Sequence, residues 1–263
     1  MLKWSNCNQL ALMRKFTTAA LIVFSIVQLR AQEEQSGNSS KTSDEEIHYS
    51  IPLIGSVAPT FTAESTKGTI VFPDDFGKSW KILLSHPQDF TPVCSSEILE
   101  LANHQEEFDK LGAKLIVLSS DPLSTHKDWK KALEELDYKG KTEKISFPLV
   151  DDQSRVVSKL YGMMHPQTNS TRDVRGVFIV DPNNIIQAIY FYPMSVGRST
   201  NELLRLISAL QATSKGNLLA PADWQQGNDL LVRIPPNVTL SQDQIEHDGY
   251  YKLAWFMWYK NKK

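Results

Sequence analysis

The sequence predicts an α/β domain with a mixed central sheet flanked by helices, followed by a small C-terminal subdomain. Three observations lead to this class. Apolar segments typical of buried strands alternate with segments of helical spacing, a hairpin pattern follows around Asp181-Pro182-Asn183-Asn184, and the periodicity fades beyond residue 216. A chain of 263 residues with 41% apolar and 22% charged side chains is long enough to bury such a core.

The first predicted elements are two short strands, a buried strand and a helix. Residues 61–72 predict two short strands around Lys67-Gly68, and residues 81–85 form an apolar strand that runs into His86. From Pro92 onward the apolar residues have helical spacing, which predicts a helix that Gly112 ends. The chain therefore passes from a buried strand through a short turn into a helix.

The later elements complete a layered domain. They are, in order, a strand at 113–118, a helix at 124–136, a strand at 147–150, a helix at 156–161, strands at 177–180 and 185–192, and a helix at 202–210. The run at 113–118 is apolar at nearly every position, as in strands that are covered on both faces. This order of strands and helices is that of a thioredoxin-like fold.

The N-terminal segment differs from the rest of the chain. Arg14 and Lys15 precede an apolar run over residues 16–29, and Ala31 follows it, which predicts a signal peptide over residues 1–31. An uncleaved membrane anchor is the alternative, because Arg30 fits poorly beside a cleavage site. The mature protein is expected to be secreted or periplasmic.

Composition also sets the remaining boundaries. Residues 32–46 contain no large apolar side chain, so we predict a disordered linker over residues 32–50. The thioredoxin-like domain is then expected at 51–215 and the C-terminal subdomain at 216–263, where prolines and scattered glycines replace periodic segments. A net charge of −2 provides no field to attract nucleic acid, which is excluded as a partner.

The sequence contains two cysteines, Cys7 and Cys94. Because Cys7 lies in the segment expected to be removed, Cys94 is the only cysteine of the predicted mature chain. A lone thiol in an oxidising compartment indicates a reactive role or pairing with a second chain. A buried and inert thiol is the alternative.

The position of Cys94 favours reactivity. It is expected in the first turn of a helix that follows a buried strand, where free backbone N–H groups and the helix dipole stabilise a thiolate. Lowering the pKa of a thiol from about 8.5 to about 6, so that the thiolate predominates at neutral pH, takes roughly 3.4 kcal/mol, whereas a helix terminus supplies at most about 2 kcal/mol. A cation must therefore contribute. Thr91 can turn its hydroxyl toward the sulfur or cap the helix, and Pro87 stiffens the loop.

The pattern P-x-x-x-T-x-x-C, formed by Pro87, Thr91 and Cys94, resembles the active-site signature of the peroxiredoxins. The string S-H-P-Q-D-F-T-P-V-C is similar to the one-cysteine subfamily in particular, and the resemblance extends over about residues 54–236. It implies that the Cys94 thiolate attacks the O–O bond of hydrogen peroxide or an organic hydroperoxide. An external thiol, a thioredoxin-like protein or glutathione, would reduce the resulting sulfenic acid, because no resolving cysteine is present.

The resemblance also implies roles for other residues and a homodimer. It gives Arg175 as the missing cation and Thr91 as a second catalytic residue, with Arg198, His86, Glu97 and Pro87 in support. Each has a structural alternative: Arg175 could pair with Asp173, Arg198 could cap the 195–199 segment, His86 could be a packed histidine, and Glu97 could be a solvated acid favoured by the helix dipole. No cofactor is implied.

No metal site is predicted, because the other histidines fall at no metal-ligand spacing and are expected to be solvated or structural. They are His48, His104, His126, His165 and His247.

Two other functions compete with the peroxidase. Some one-cysteine peroxiredoxins resemble lipid hydrolases through a G-x-S-x-G-like turn. Here Ser79 is present, but Lys81 replaces the closing glycine, and the partner positions fall at Pro73 or Asp74 and near Asn183, so hydrolysis is not expected. The second alternative is a secreted redox sensor or holdase that uses oxidation of Cys94.

The last segment, residues 250–263, is rich in aromatic residues and lysines. Such a density of aromatic side chains is expected to be covered, either as a strand pair packed on the body or across a dimer. A contact with a membrane surface, helped by Lys260, Lys262 and Lys263, is the alternative, and membrane contact is not the expected outcome.

Overall fold

A computed structural model describes residues 50–214, 216–233, 239–241, 243, 245 and 247–261 of the chain. These residues fall in one compact unit. The predicted signal peptide, and the predicted linker as far as residue 49, lie outside the described residues. Within the described part of the chain, no helix combines the length and apolar character needed to span a bilayer.

A small hairpin precedes a five-stranded mixed sheet. The hairpin pairs β1 (Phe61–Ala63) with β2 (Ile70–Phe72), and the sheet comprises β3 (Trp80–Ser85), β4 (Ala113–Ser119), β5 (Leu149–Asp151), β6 (Arg175–Val180) and β7 (Ile186–Tyr192). The strand order is β5-β4-β3-β6-β7, with β3, β4 and β5 parallel and with β6 antiparallel to both β3 and β7. The predicted mixed sheet is confirmed.

In the part of the chain that the structure describes, this sheet is flanked by the helices α1 (Pro92–Asn103), α2 (Gln105–Lys110), α3 (Leu123–Glu134), α4 (Val156–Leu160) and α5 (Thr200–Thr213). The prediction of one helix from Pro92 to Gly112 is wrong, because His104 leaves the helical region with φ −107° and ψ 16°. The predicted strand at 147–150 begins instead at Leu149, since Pro148 has no N–H to donate to a neighbouring strand.

Alternate residues of β3 enter two separate cores, as the two-residue period of a strand requires. Ile82 and Leu84 pack with Ile98 of α1 and Trp129 of α3 on one face of the sheet. Leu83 packs into the second core, with the β1–β2 hairpin and α4. The sheet is therefore covered on both faces, and β3 delivers the following loop from a rigid, buried base.

The C-terminal segment forms a four-stranded antiparallel sheet. Its strands are β8 (Leu218–Leu219), β9 (Leu230–Val232), β10 (Tyr250–Ala254) and β11 (Met257–Lys260), in the order β10-β11-β9-β8. Trp224 and Leu230 pack with Ala209 of α5, so this sheet and the main domain share a helix. The predicted strand pair within residues 250–263 is present as the β10–β11 hairpin, but Trp255 and Phe256 at its turn are exposed in this single chain, so the expectation that its aromatic side chains are covered is met only in part.

A buried acid lies two residues before β6. Asp173 is fully buried, and neither carboxylate oxygen has a hydrogen-bond partner within the described residues. Burial raises the pKa of Asp173 from 3.8 to about 7; the nearby Ser158 hydroxyl opposes this rise and the Asp152 carboxyl reinforces it. The folded chain therefore binds a proton more tightly here than the unfolded chain does.

We expect Asp173→Asn to stabilise the protein increasingly as the pH rises. Because the folded pKa lies above the unfolded one, ionisation of Asp173 costs stability between about pH 4 and pH 7, and the full cost is present above pH 7. The difference in unfolding free energy between the variant and the wild type should increase, in favour of the variant, by on the order of 3 kcal/mol between pH 5 and pH 8. Urea titrations followed by circular dichroism measure this. Asp109→Asn, which changes an exposed acid of α2, is the control and should show no such trend.

Candidate active site

Cys94 is the third residue of α1 and has no exposed surface. The helix begins after Thr91, and its first backbone bond runs from the Ser95 N–H to the Thr91 carbonyl at 2.9 Å. Pro92 has no N–H, so the amides of Val93 and Cys94 are the free donors of this first turn. The predicted placement of Cys94 at a helix start is confirmed.

Arg175 supplies a cation beside the sulfur. It begins β6, which runs antiparallel to β3 and so ends up beside the start of α1. Its Nη1 lies 3.3 Å from Cys94 Sγ and donates to Glu97 Oε2 at 2.7 Å. Nε and Nη2 both donate to the Met194 carbonyl, at 3.1 and 2.6 Å. The guanidinium is thus held by Glu97 on one side and by the Met194 carbonyl on the other. None of these hydrogen bonds is to Asp173, the alternative partner.

Arg198 holds the same carboxylate from the other side. Its Nε, Nη2 and backbone N–H donate to the two oxygens of Glu97 at 2.8, 2.9 and 2.8 Å. Its Nη1 donates to the carbonyls of Ser85 and Gly176 at 2.9 and 2.8 Å. Arg198 therefore ties α1 to the ends of β3 and β6, which is more than a local cap of the 195–199 segment.

Glu97 is a buried member of this network, and the alternative of a solvated first-turn acid is wrong. Only 5% of its side chain is exposed. Burial alone would favour the neutral acid, but Arg198 and then Arg175 outweigh it and lower the pKa of the Glu97 carboxyl below its usual value. Two guanidinium groups and one carboxylate leave one uncompensated positive charge in a buried site. A thiolate on Cys94 would balance it.

We expect Glu97→Gln to destabilise the fold by about 3 kcal/mol, because it leaves two buried guanidinium groups without their anion. Thermal and urea unfolding of the variant and the wild type at pH 7 measure the difference. Glu100→Gln is the matched control, since Glu100 lies one turn along the same helix and binds Lys139 and Tyr138 at the surface. A change of less than about 1 kcal/mol is expected there; an equal loss for both variants would contradict the assigned role of Glu97.

Thr91 and Pro87 shape the loop before the helix. Thr91 occupies the N-cap position without a side-chain capping bond, and its hydroxyl donates to the Gln88 carbonyl at 2.9 Å. No hydrogen bond joins Thr91 to Cys94 in the described part of the chain. Because its proton is engaged by Gln88, the Thr91 oxygen is left as an acceptor. Pro87 is buried within the loop.

His86 belongs to a second buried network, which supports the alternative of a packed histidine. Its Nε2 lies 2.7 Å from Asp89 Oδ1, while the other oxygen of Asp89 lies 2.7 Å from His126 Nδ1. Burial lowers the pKa of His86, because it disfavours the charged imidazolium. Burial would raise the pKa of Asp89, but the hydrogen bonds from His126 and His86 outweigh it and keep that pKa below its usual value. His126 also contacts the Val150 carbonyl at 3.0 Å, so of the two expectations for this residue, solvated or structural, the structure shows the second.

This second network contains the group of side chains, among the described residues, whose atoms lie close enough together to be tested as a metal site. His86, Asp89 and Asp121 offer ligand atoms within 4.8 Å of one another. However, both oxygens of Asp89 accept from histidines, while those of Asp121 accept from the Asp89 N–H and from Arg172 Nη1, each at 2.7 Å. A cation would have to displace these donors, so the residues fit a hydrogen-bond network better than a metal site.

Sequence reasoning brought together the residues that touch the sulfur but missed those behind the loop. Asp89 and Asp121 were not singled out, although Asp89 lies inside the signature string, and His126 was expected only to be solvated or structural. The available signal was the pair His86 and Asp89 at three-residue spacing, since the approach of His126 on α3 depends on tertiary structure. Ser79 immediately precedes β3, as expected of an ordinary residue before a strand.

Comparison with known proteins identifies relatives of this chain. Residues 54–189 match the model of the AhpC/TSA family. A peroxiredoxin of Methanosarcina mazei is 43% identical over 211 residues, covering 79% of this chain and 96% of the archaeal one. A 1-Cys peroxiredoxin of Dictyostelium discoideum is 39% identical over 204 residues, covering 78% of this chain and 83% of its own.

A solved structure gives the same result. The yeast mitochondrial 1-Cys peroxiredoxin, described as having its thiol resolved via glutathione/thioredoxin systems, is 36% identical and superimposes with a TM-score of 0.71. The match covers 81% of this chain and 100% of the yeast chain. The similarity therefore includes both the five-stranded sheet and most of the remaining described residues.

Proposed function

The chain belongs to the AhpC/TSA family and is a thiol-dependent peroxidase of the one-cysteine peroxiredoxin type, and we propose that Cys94 is the residue that peroxide oxidises. The observation that supports this assignment best is the 3.3 Å contact between Arg175 Nη1 and the buried Cys94 sulfur. The charge of that arginine, the first turn of α1 and the Glu97–Arg198 network all favour a thiolate.

The reaction follows from this arrangement. The Cys94 thiolate attacks one peroxide oxygen, the O–O bond breaks, and the electron pair leaves on the second oxygen, which takes a proton to give water or an alcohol. Cysteine is oxidised to the sulfenic acid and the peroxide is reduced. We assign Arg175 the stabilisation of the thiolate and of the leaving oxygen, and Thr91 the acceptance of a hydrogen bond from the peroxide O–H. Arg198, Glu97, His86 and Pro87 are positioning residues.

An external thiol must complete the cycle, because Cys94 is the only cysteine after residue 7. One thiolate attacks the sulfenic sulfur and releases hydroxide, and a second thiol then breaks the mixed disulfide. Since Cys94 is fully buried, each reductant needs a local opening of the loop before α1. A protein reductant needs a wider opening than a peroxide does.

Steady-state turnover with different reductants tests this cycle. Peroxide consumption by residues 32–263 should be sustained with dithiothreitol, and we expect at least one of glutathione and thioredoxin to support it as well. A single turnover with every reductant, coupled to a change in molecular size, would instead favour the redox sensor or holdase.

We also propose that the protein forms a homodimer through β7. This strand is at the edge of the five-stranded sheet, and every residue after Ile186 is half-buried. An edge strand presents free backbone groups that a second copy can pair with. Light scattering of the purified protein should give twice the mass of one chain, and a monomer at micromolar concentration would count against the proposal.

Export is proposed from the sequence of the N-terminal segment. The basic residues, the apolar run over 16–29 and Ala31 favour removal of residues 1–31, leaving a linker over 32–50, the domain over 51–215 and the subdomain over 216–263. N-terminal sequencing of the protein recovered outside the cytoplasm should begin at Gln32. A start within residues 1–13 on membrane-bound protein would support the uncleaved anchor.

A further inference from the structure

The buried ring of His126 lies between two hydrogen-bond acceptors. Its Nδ1 lies 2.7 Å from Asp89 Oδ2, and its Nε2 lies 3.0 Å from the Val150 carbonyl oxygen. A carbonyl oxygen and an ionised carboxylate both accept hydrogen bonds and cannot donate them. A neutral imidazole has one N–H, so it would turn a lone pair toward one of these oxygens, and a ring turned over by 180° would place carbon atoms at both positions. His126 therefore fits this site as an imidazolium with a hydrogen on each nitrogen.

The same carboxylate gives His86 a different protonation state. Asp89 Oδ1 lies 2.7 Å from His86 Nε2, while His86 Nδ1 is buried and has no hydrogen-bond partner among the described residues. Because a buried N–H without an acceptor is costly, the single proton of a neutral ring belongs on Nε2. Burial lowers the pKa of His86 and outweighs the opposing effect of Asp89, and the charges of His126 and Arg198 lower it further. Asp89 thus lies between one imidazolium and one neutral imidazole.

The next acid in this network already has its own cation. Asp121, which follows β4, accepts from the Asp89 N–H and from Arg172 Nη1, each at 2.7 Å. The charge of Arg172 is therefore engaged by Asp121. Among the described residues that contact the Asp89 side chain, His126 is the one whose positive charge balances that carboxylate.

The loop over residues 86–91, between β3 and α1, contains a strained residue. Phe90 has a φ of 56°, in the left-handed region that glycine favours. Strained residues persist where the surrounding contacts fix them. Asp89, the residue before Phe90, is bound through its backbone N–H by Asp121 and through its side chain by His126. These bonds come from different elements of the fold and hold the loop in its closed conformation.

Helix α3 supplies the contacts that cover this loop. His126 binds Asp89, and Trp129, three residues further on the same face of the helix, packs on the His86 ring with centroids 5.1 Å apart. Trp129 Nε1 also donates to Ser95 Oγ of α1 at 3.3 Å. One face of α3 therefore holds both the loop and the first turn of α1, and the bond from His126 is the one that joins charged groups.

We propose that His126 is a positioning residue of the peroxidase, which as an imidazolium binds Asp89 and thereby keeps the loop over residues 86–91 closed around Cys94. The step that it governs is reduction of the sulfenic acid, because an external thiol reaches the buried sulfur only when this loop opens. Peroxide reacts with the closed site, in which Arg175 and the first turn of α1 are assembled, so that step depends little on His126. The proposal rests on the proposed function of Cys94.

Reaction with Ellman's reagent measures how often the loop opens, because Cys94 is the only cysteine of the chain from Gln32 onward. His126→Gln places its amide nitrogen near the position of Nε2 and leaves Asp89 without this donor, whereas His126→Asn places one near the position of Nδ1. His126→Gln should react about 10- to 100-fold faster than wild type, the range for loss of a charge-assisted hydrogen bond. His126→Asn, which restores a neutral donor, should react at an intermediate rate. Stopped-flow oxidation by peroxide should change by less than about threefold in both variants, because the closed loop stays the main state.

Nitrogen NMR of protein labelled in its histidine rings reads the protonation directly at pH 7. Wild type should show a ring with a hydrogen on each nitrogen, and this signal should be absent from His126→Gln. Tyr161→Phe, which removes a buried hydrogen bond to the Pro59 carbonyl in the second core, is the control and should leave the reaction of Cys94 unchanged. A neutral His126, no acceleration in His126→Gln, or equal acceleration in His126→Gln and Tyr161→Phe would overturn the proposal. Neither the NMR nor the labelling uses peroxide, so a failure here is distinct from a failure of the proposed function, which Cys94→Ser tests.

Discussion

Replacing Cys94 by serine is expected to abolish thiol-dependent peroxide consumption. Serine keeps the shape of the side chain, but its hydroxyl neither ionises near neutral pH nor accepts an oxygen atom from a peroxide. The charge balance of the site supports the same expectation, because the two guanidinium groups beside the single Glu97 carboxylate favour an anion at position 94. The assay is peroxide loss over time with dithiothreitol, at equal concentrations of both proteins.

The comparison is meaningful only if the variant is folded. Cys94 is fully buried within the core beneath α1, and serine is slightly smaller, so we expect a modest loss of stability and an unchanged circular dichroism spectrum. A folded Cys94→Ser protein that still turns over at a rate near that of wild type would remove Cys94 from the mechanism.

The second large effect is expected at Arg175. Arg175→Gln should lower kcat/KM for hydrogen peroxide by about 10² to 10³, the usual cost of removing one preorganised donor from a site of developing charge. Its Nη1 contacts the sulfur and Glu97 together, while Nε and Nη2 hold the Met194 carbonyl. A lysine cannot reproduce this fork, so Arg175→Lys should recover only part of the loss.

Arg205→Gln provides a matched control for the Arg175 variants. Arg205 pairs with Glu202 on the surface of α5, away from the sulfur. Stopped-flow mixing with peroxide, followed by tryptophan fluorescence, reports on oxidation because Trp129 Nε1 bonds Ser95 beside Cys94. A loss of less than about tenfold in Arg175→Gln, or equal losses in both variants, would argue against a catalytic role for Arg175.

Much of the fold was predictable because local patterns and burial agree. The apolar run before His86 and the helical spacing after Pro92 gave the strand, the turn and the helix that present Cys94. The break at His104 was not predictable, since the apolar pattern continues across it to Phe108 and Leu111. The order of the strands depends on long-range pairing that periodicity does not record.

The residues of the site also fall into those that the sequence indicates and those that only the tertiary structure brings together. Cys94 and Thr91 follow from spacing along one segment, and Arg175, Arg198 and Glu97 followed from the resemblance. The bond between Asp89 and His126 joins residues 37 positions apart, and it exists because α3 packs over the loop before α1. No short spacing in the sequence indicates it.

The most direct test of the central claim is trapping of the oxidised sulfur. One equivalent of hydrogen peroxide should convert Cys94 of the chain from Gln32 onward to a sulfenic acid that a dimedone reagent labels, as read by mass spectrometry of the peptide. Adding a thiol before the reagent should prevent labelling and restore the reduced cysteine. Absence of a labelled Cys94 after rapid peroxide loss, or undiminished labelling when the thiol is added before the reagent, would contradict the proposed cycle.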